Sequence, residues 1–199
     1  MSRALAVLAA VLVASLATAG AGCGFGEGNE RPGGGAMLRV TRDFGHRELG
    51  EVKLDSVREG QTVMRMLRSE FDVTTRFGGR FVQAIDGLEG QGAGGQVDWF
   101  YWVNGLEADK GAAEWEVLPG DRVQWDRRDW SAGMRIPAIV GAYPEPFANG
   151  LEGKRRPVRV ECEEVGSAAC DEARTRLNDV GVSTSGSSLG APAPRRSRG

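Results

Sequence analysis

The chain has 199 residues, enough for one ordinary domain with additional segments and a substantial core. Its 25 basic and 27 acidic residues leave a net charge of −2. That balance argues against a phosphate-seeking surface over the whole molecule and makes nucleic acid a poor first candidate.

The first predicted element is an export signal. Arg3 precedes an uncharged run whose most apolar part, residues 5–16, is a dozen residues long. That length suits a signal-peptide core, whereas a membrane-spanning helix needs about 20 residues. Two cleavage readings compete. Ala17-Thr18-Ala19 fits an A-x-A site for ordinary secretion, and Gly20-Ala21-Gly22-Cys23 resembles a bacterial lipobox with Gly20 where the motif usually carries Leu. Cysteine arithmetic favours the lipobox. Of three cysteines, lipidation of Cys23 leaves Cys162 and Cys170 as a pair for a disulfide in an oxidising compartment. Residues 1–22 are thus expected to be a lipoprotein signal, Cys23 the lipid anchor at the outer face of a bacterial cell membrane, and residues 23–36 a glycine-rich flexible tether.

Residues 37–42, MLRVTR, alternate as a half-buried strand should, residues 43–46 read as a turn, and residues 49–54 as the returning strand. The period then changes. Val63, Met66, Leu67 and Phe71 fall at helical spacing behind Thr62, a plausible N-cap. Strands are expected again at residues 73–76 and 81–85, across a turn at 77–80. A glycine loop at 87–95 leads into DWFYWVNG, residues 98–105, closed by a turn at Asn104-Gly105. Residues 115–118 and 123–125 read as a last short hairpin. The order is that of an α+β domain over residues 37–131, one helix packed on a small mixed sheet. A Pro-rich wrapping segment at 132–156, an incomplete βα unit at 157–182 and a disordered tail at 183–199 follow.

These residues resemble a known family. EGQTVMRML at 59–67, FVQAIDGL at 81–88, WFYWVNG at 99–105, Gly111 with Trp115, and PGDRVQW at 119–125 occur in the order of a β-grasp domain. The set is similar to the C-terminal domain of the transcobalamin and intrinsic factor proteins and to bacterial surface domains of unknown function named after it. The resemblance spans roughly residues 38–130. It implies a β-grasp fold and a habit of ligand binding, with cobalamin or another corrinoid as the nameable ligand. From the residues themselves no resident cofactor or metal is expected, since no second histidine or clustered thiols make a zinc site. The helical barrel that holds the rest of cobalamin in transcobalamin has no counterpart in this chain.

Aromatic residues are only 7% of the chain, yet four stand in a row at 99–102 and all five Trp lie between Trp99 and Trp130. In a strand, Trp99, Tyr101 and Val103 face one way and Phe100 and Trp102 the other. One face should pack on the helix. The second is either buried under residues 136–150 wrapping back or exposed to bind. On the binding reading, the ligand residues are Trp99, Tyr101, Trp102, Asn104, Trp115, Trp125 and Trp130; on the other, the aromatics are core and Asn104 a turn former.

Catalytic constellations are not assembled in the sequence. Gly90 to Gly95 satisfies G-x-G-x-x-G, but a strand and not a helix is expected after it, so the loop reads as a hairpin. His46, the single histidine, falls in a turn, and the scattered Asp98, Asp109, Asp121, Asp126 and Asp129 lack an EF-hand spacing. The expectation is a non-enzymatic extracytoplasmic binding lipoprotein that captures a small amphipathic ligand or an envelope protein. The alternative is a structural protein–protein interaction module of the cell envelope.

Overall fold

The computed structural model describes residues 28–92 and 94–192, so the signal segment and Cys23 lie outside the described residues. Strands β1 (Ala36–Arg42) and β2 (Arg47–Leu54) form an antiparallel hairpin with a bulge between Val40 and Thr41. The apolar members of the alternation, Leu38 and Val40, are buried, while Met37 and Arg39 point to the opposite face.

Helix α1 (Val63–Glu70) begins where Thr62 Oγ1 accepts a hydrogen bond from the Arg65 amide at 3.2 Å. Its buried stripe is Val63, Met64, Met66 and Leu67, which leaves Arg65 and Arg68 in solvent. Strands β3 (Val73–Arg76), β4 (Phe81–Ile85) and β5 (Leu88–Glu89) make a small antiparallel sheet around the short 3₁₀ turn Phe77–Gly79. Strands β6 (Val97–Val103), β7 (Leu106–Glu107) and β8 (Arg122–Asp129) complete the main sheet in the order β2-β1-β8-β6-β7. The first strand lies parallel to β8, far along the chain, and antiparallel hairpins flank this pair. This is the β-grasp arrangement, with α1 covering one face; its core joins Leu38, Val40, Trp99, Val103, Val123 and Trp125 to the helix stripe.

The other face is covered too. Residues 133–150 run across it as an irregular strap. Ile139 donates its amide to Gly105 O and Glu107 to Pro137 O, both at 3.0 Å, and Ala138 bridges Leu106 at the β7 edge. A sheet edge that would otherwise offer unpaired amides is thereby closed.

Two sequence expectations are corrected here. Residues 115–118 are not a hairpin arm. Val117 is fully buried and donates its amide to Gln61 O, while Glu116 bridges Thr62, so this stretch braces the entry to α1. Beyond the strap, β9 (Val158–Cys162) and α2 (Ala168–Asp179) are followed by a further strand, β10 (Thr184–Ser188), parallel to β9. The Ser/Gly composition of 183–188 reads as a disordered tail, yet its backbone pairs in register with β9, which needs no particular side chains. The unit is therefore βαβ. No helix among the described residues is long and apolar enough to cross a membrane.

Candidate functional site

The aromatic strand is buried on both sides. Trp99, Trp102, Trp115 and Trp125 retain 4%, 0%, 6% and 3% of their surface, so they do not form the exposed patch that the ligand reading requires. Trp99 Nε1 donates to Leu88 O and Trp102 Nε1 to Ile136 O, a carbonyl of the strap. Tyr101 stacks on Trp125 with centroids 5.0 Å apart, and its hydroxyl donates to Lys110 O at 2.5 Å. Burial pushes the Tyr101 phenol well above its ordinary range, and the Asp109 and Glu114 carboxylates add to that. Trp130 is half-buried and donates to Asp98 Oδ2. The physical reason for the correction is that both faces are covered: Trp99, Trp115 and Trp125 lie in the core shared with α1, and the strap covers Trp102 on the opposite face.

Asn104 is wholly buried at φ 52° and acts as a structural node. Its amide nitrogen donates to Asp121 Oδ1 at 2.8 Å and to Gly150 O at 2.7 Å, and its oxygen accepts from the Arg122 amide. Asp121 also accepts from the Leu118 amide, and burial raises its pKa despite these bonds, with Glu145 contributing in the same sense. At the next residue, a Cβ on Gly105 would lie 2.8 Å from Ala142 Cβ, so the strap can approach only a glycine there.

Sequence reading missed two further buried groups. Asp126 accepts from Thr41 Oγ1 and from the amides of Phe44 and Gly45, fixing a turn whose residues Asp43, Phe44 and Gly45 all have positive φ. Arg128 is fully buried. Its guanidinium lies 4.0 Å from the Phe100 centroid and donates to the strap carbonyls of Gly133 and Met134. Their only signal was polar residues at every second position of β8, 122 to 128, which normally marks a wet face.

What remains open near the predicted residues is a groove of ≈ 520 Å³ at the β7 end of the sheet. Leu106, Trp115, Pro137 and Leu151 supply apolar lining, and Glu107, Asp109, Arg135 and Glu152 supply charge. Arg135 pairs with Glu107 at 3.4 Å and Lys110 pairs with Glu152, while the Lys110 ammonium stands 5.4 Å from the Trp115 ring. Of the seven predicted ligand residues, only Trp115 lines this groove.

Elsewhere, Cys162 and Cys170 are joined by a disulfide with Cα atoms 6.1 Å apart. His46 is exposed in the β1–β2 turn, and the glycine loop joins β5 to β6 with no helix after it. Among the described residues, no three His, Cys, Asp or Glu side chains gather as a metal site.

Comparison with known proteins adds no chemistry to this site. The family model "Domain of unknown function (DUF4430)" matches residues 60–128, from the entry of α1 to the end of β8. No curated protein matches. Among solved structures, the chain is similar to one titled a "putative metal binding protein" from Ruminococcus gnavus. That likeness has 17% identity and a TM-score of 0.40, and covers 48% of this chain and 97% of the other.

Proposed function

We propose that the chain is a non-catalytic, extracytoplasmic binding lipoprotein, held at the outer face of the cell membrane through Cys23. Its β-grasp module captures a small amphipathic ligand in the groove beside Trp115. The observation that carries this reading is the groove itself, ≈ 520 Å³, walled by apolar side chains and charged groups borne on the sheet end and the strap. A flat ring with polar edges matches that lining, and the transcobalamin resemblance makes cobalamin the first ligand to try. With one face of the ligand left in water, the affinity is expected to be micromolar at best, about −8 kcal/mol.

The test is tryptophan-fluorescence titration with cobalamin and haem, corrected for ligand absorbance, on the wild type and on Leu151→Glu. A saturable change lost in the variant supports the groove. No change with either ring, together with no small molecule in mass spectra of the natively purified protein, rules ligand capture out. One observation favours an interaction module instead: the strap exposes Met134, Val140, Tyr143 and Phe147, Val140 to 87%.

A further inference from the structure

We propose that the face formed by α1 and the Phe77–Gly79 turn docks on the anionic lipid surface to which the chain is tethered. The inference rests on the reading of Cys23 as the anchor, and three observations converge on it.

The first is reach. Gly28 lines a groove of ≈ 360 Å³ together with Arg58, Glu59, Arg65 and Glu70. Cys23 stands only five residues earlier, and five extended residues span at most about 17 Å. An anchor at Cys23 therefore holds the bilayer close to the end of the domain that carries α1.

The second is charge. The neighbouring groove, ≈ 410 Å³, is lined by Arg65 and Arg68 with Gly60, Met64, Gly78 and Gly79, and by no carboxylate. Arg65 donates to Gly60 O at 2.8 Å and Arg68 to Thr75 Oγ1 at 3.0 Å. Neither guanidinium has an acidic partner among the described residues, although the chain as a whole is slightly acidic. Arg80, just past the turn, is exposed as well. Such a cluster is complementary to an anionic leaflet, where each arginine strengthens partition by about fivefold.

The third is shape. Phe77 is 79% exposed and sits at φ 53°, followed by Gly78 at 68° and Gly79 at 88°. A bulky residue held in the left-handed region, at the tip of a turn, with its ring in water is costly on both counts. Burial of that ring among lipid headgroups, beside arginines that face the phosphates, recovers the second cost.

The disulfide occupies Cys162 and Cys170, so Cys23 is the one thiol left for coupling. The chain from Cys23 onward, which keeps every described residue, can thus be attached to a maleimide lipid whether or not the native thiol is acylated. Intact-mass analysis of the native protein tests acylation separately. Hydrogen exchange is then compared on phosphatidylcholine vesicles and on vesicles with about a third phosphatidylglycerol. The expected result is slower exchange at residues 60–68 and 76–80 on the anionic vesicles alone, lost in Arg65→Gln/Arg68→Gln and weakened in Phe77→Asn, which tolerates the same backbone. Untethered Cys23→Ser protein should lose about 25-fold in anionic-vesicle partition with the double substitution. Equal exchange on the two vesicles, protection at the strap instead, or the same protection by millimolar inorganic phosphate without lipid would each overturn the proposal.

Discussion

The Arg128 guanidinium lies 4.0 Å from the ring of Phe100, beneath a strap that takes its hydrogen bonds through the carbonyls of Gly133 and Met134. A side chain that ordinarily marks a wet face thus pins the cover of the sheet. Arg128→Ala should destabilise the domain by about 3 kcal/mol, through lost charge-assisted bonds and an unfilled core position. Arg128→Lys should recover little, because an ammonium cannot stack on Phe100 and reach both carbonyls as a planar fork does. Denaturant unfolding gives the magnitude, and faster amide exchange confined first to residues 131–140 identifies the strap as the element released.

Asn104 combines a left-handed backbone with three buried hydrogen bonds, and the two contributions are separable. Asn104→Gly relieves the backbone and loses the bonds, whereas Asn104→Ala loses both. The glycine variant should therefore be the more stable of the two by about 1 kcal/mol. Equal midpoints would show that backbone conformation is unimportant at this turn.

Burial raises the Asp121 carboxyl above its unfolded value, so in the intervening pH window the folded state binds more protons than the unfolded one. Asp121 accordingly contributes its full share of stability below the ordinary carboxylate range and loses it as pH rises through the raised folded value. Asp121→Asn removes this titration. The stability of wild type relative to the variant should fall from pH 4 to neutrality, as read by urea midpoints across pH; a gap that grows with pH contradicts the assignment.

Closing the short loop between Cys162 and Cys170 should stabilise the β9–α2–β10 unit by about 2–3 kcal/mol. Reduction, or Cys162→Ser with Cys170→Ser, is expected to expose residues 158–188 to proteolysis while the β-grasp sheet keeps its protection. Two alkylatable thiols at these positions in exported protein would contradict the pairing.

Lipidation of Cys23 predicts that Cys23→Ala moves the protein from the membrane fraction to the medium, provided that cleavage after Ala19 takes over. A free Cys23 thiol in the exported wild type is the contrary result.

The hairpin, the helix and the strands around the glycine loop were legible in the sequence because each is a local matter. Alternation at 37–42 and 3.6-residue spacing from Val63 to Leu67 record which residues one element buries. Thr62 caps the helix within the same turn, and the Cys162–Cys170 pair followed from counting. The destination of the aromatics was not local. Trp102 and Phe100 alternate identically whether water or protein covers them, and only the return of residues 133–150 decides between the two. That segment has no period of its own, since it satisfies its backbone on Gly105, Leu106 and Glu107. For the same reason Arg128, Asp126 and Asn104 carry no local sign of burial: Arg128 is covered by the strap whose carbonyls it bonds, and Asp126 and Asn104 have partners 81 and 46 residues away in the chain. β10 escaped notice because pairing with β9 is a contact between backbones, on which the composition of residues 184–188 is silent.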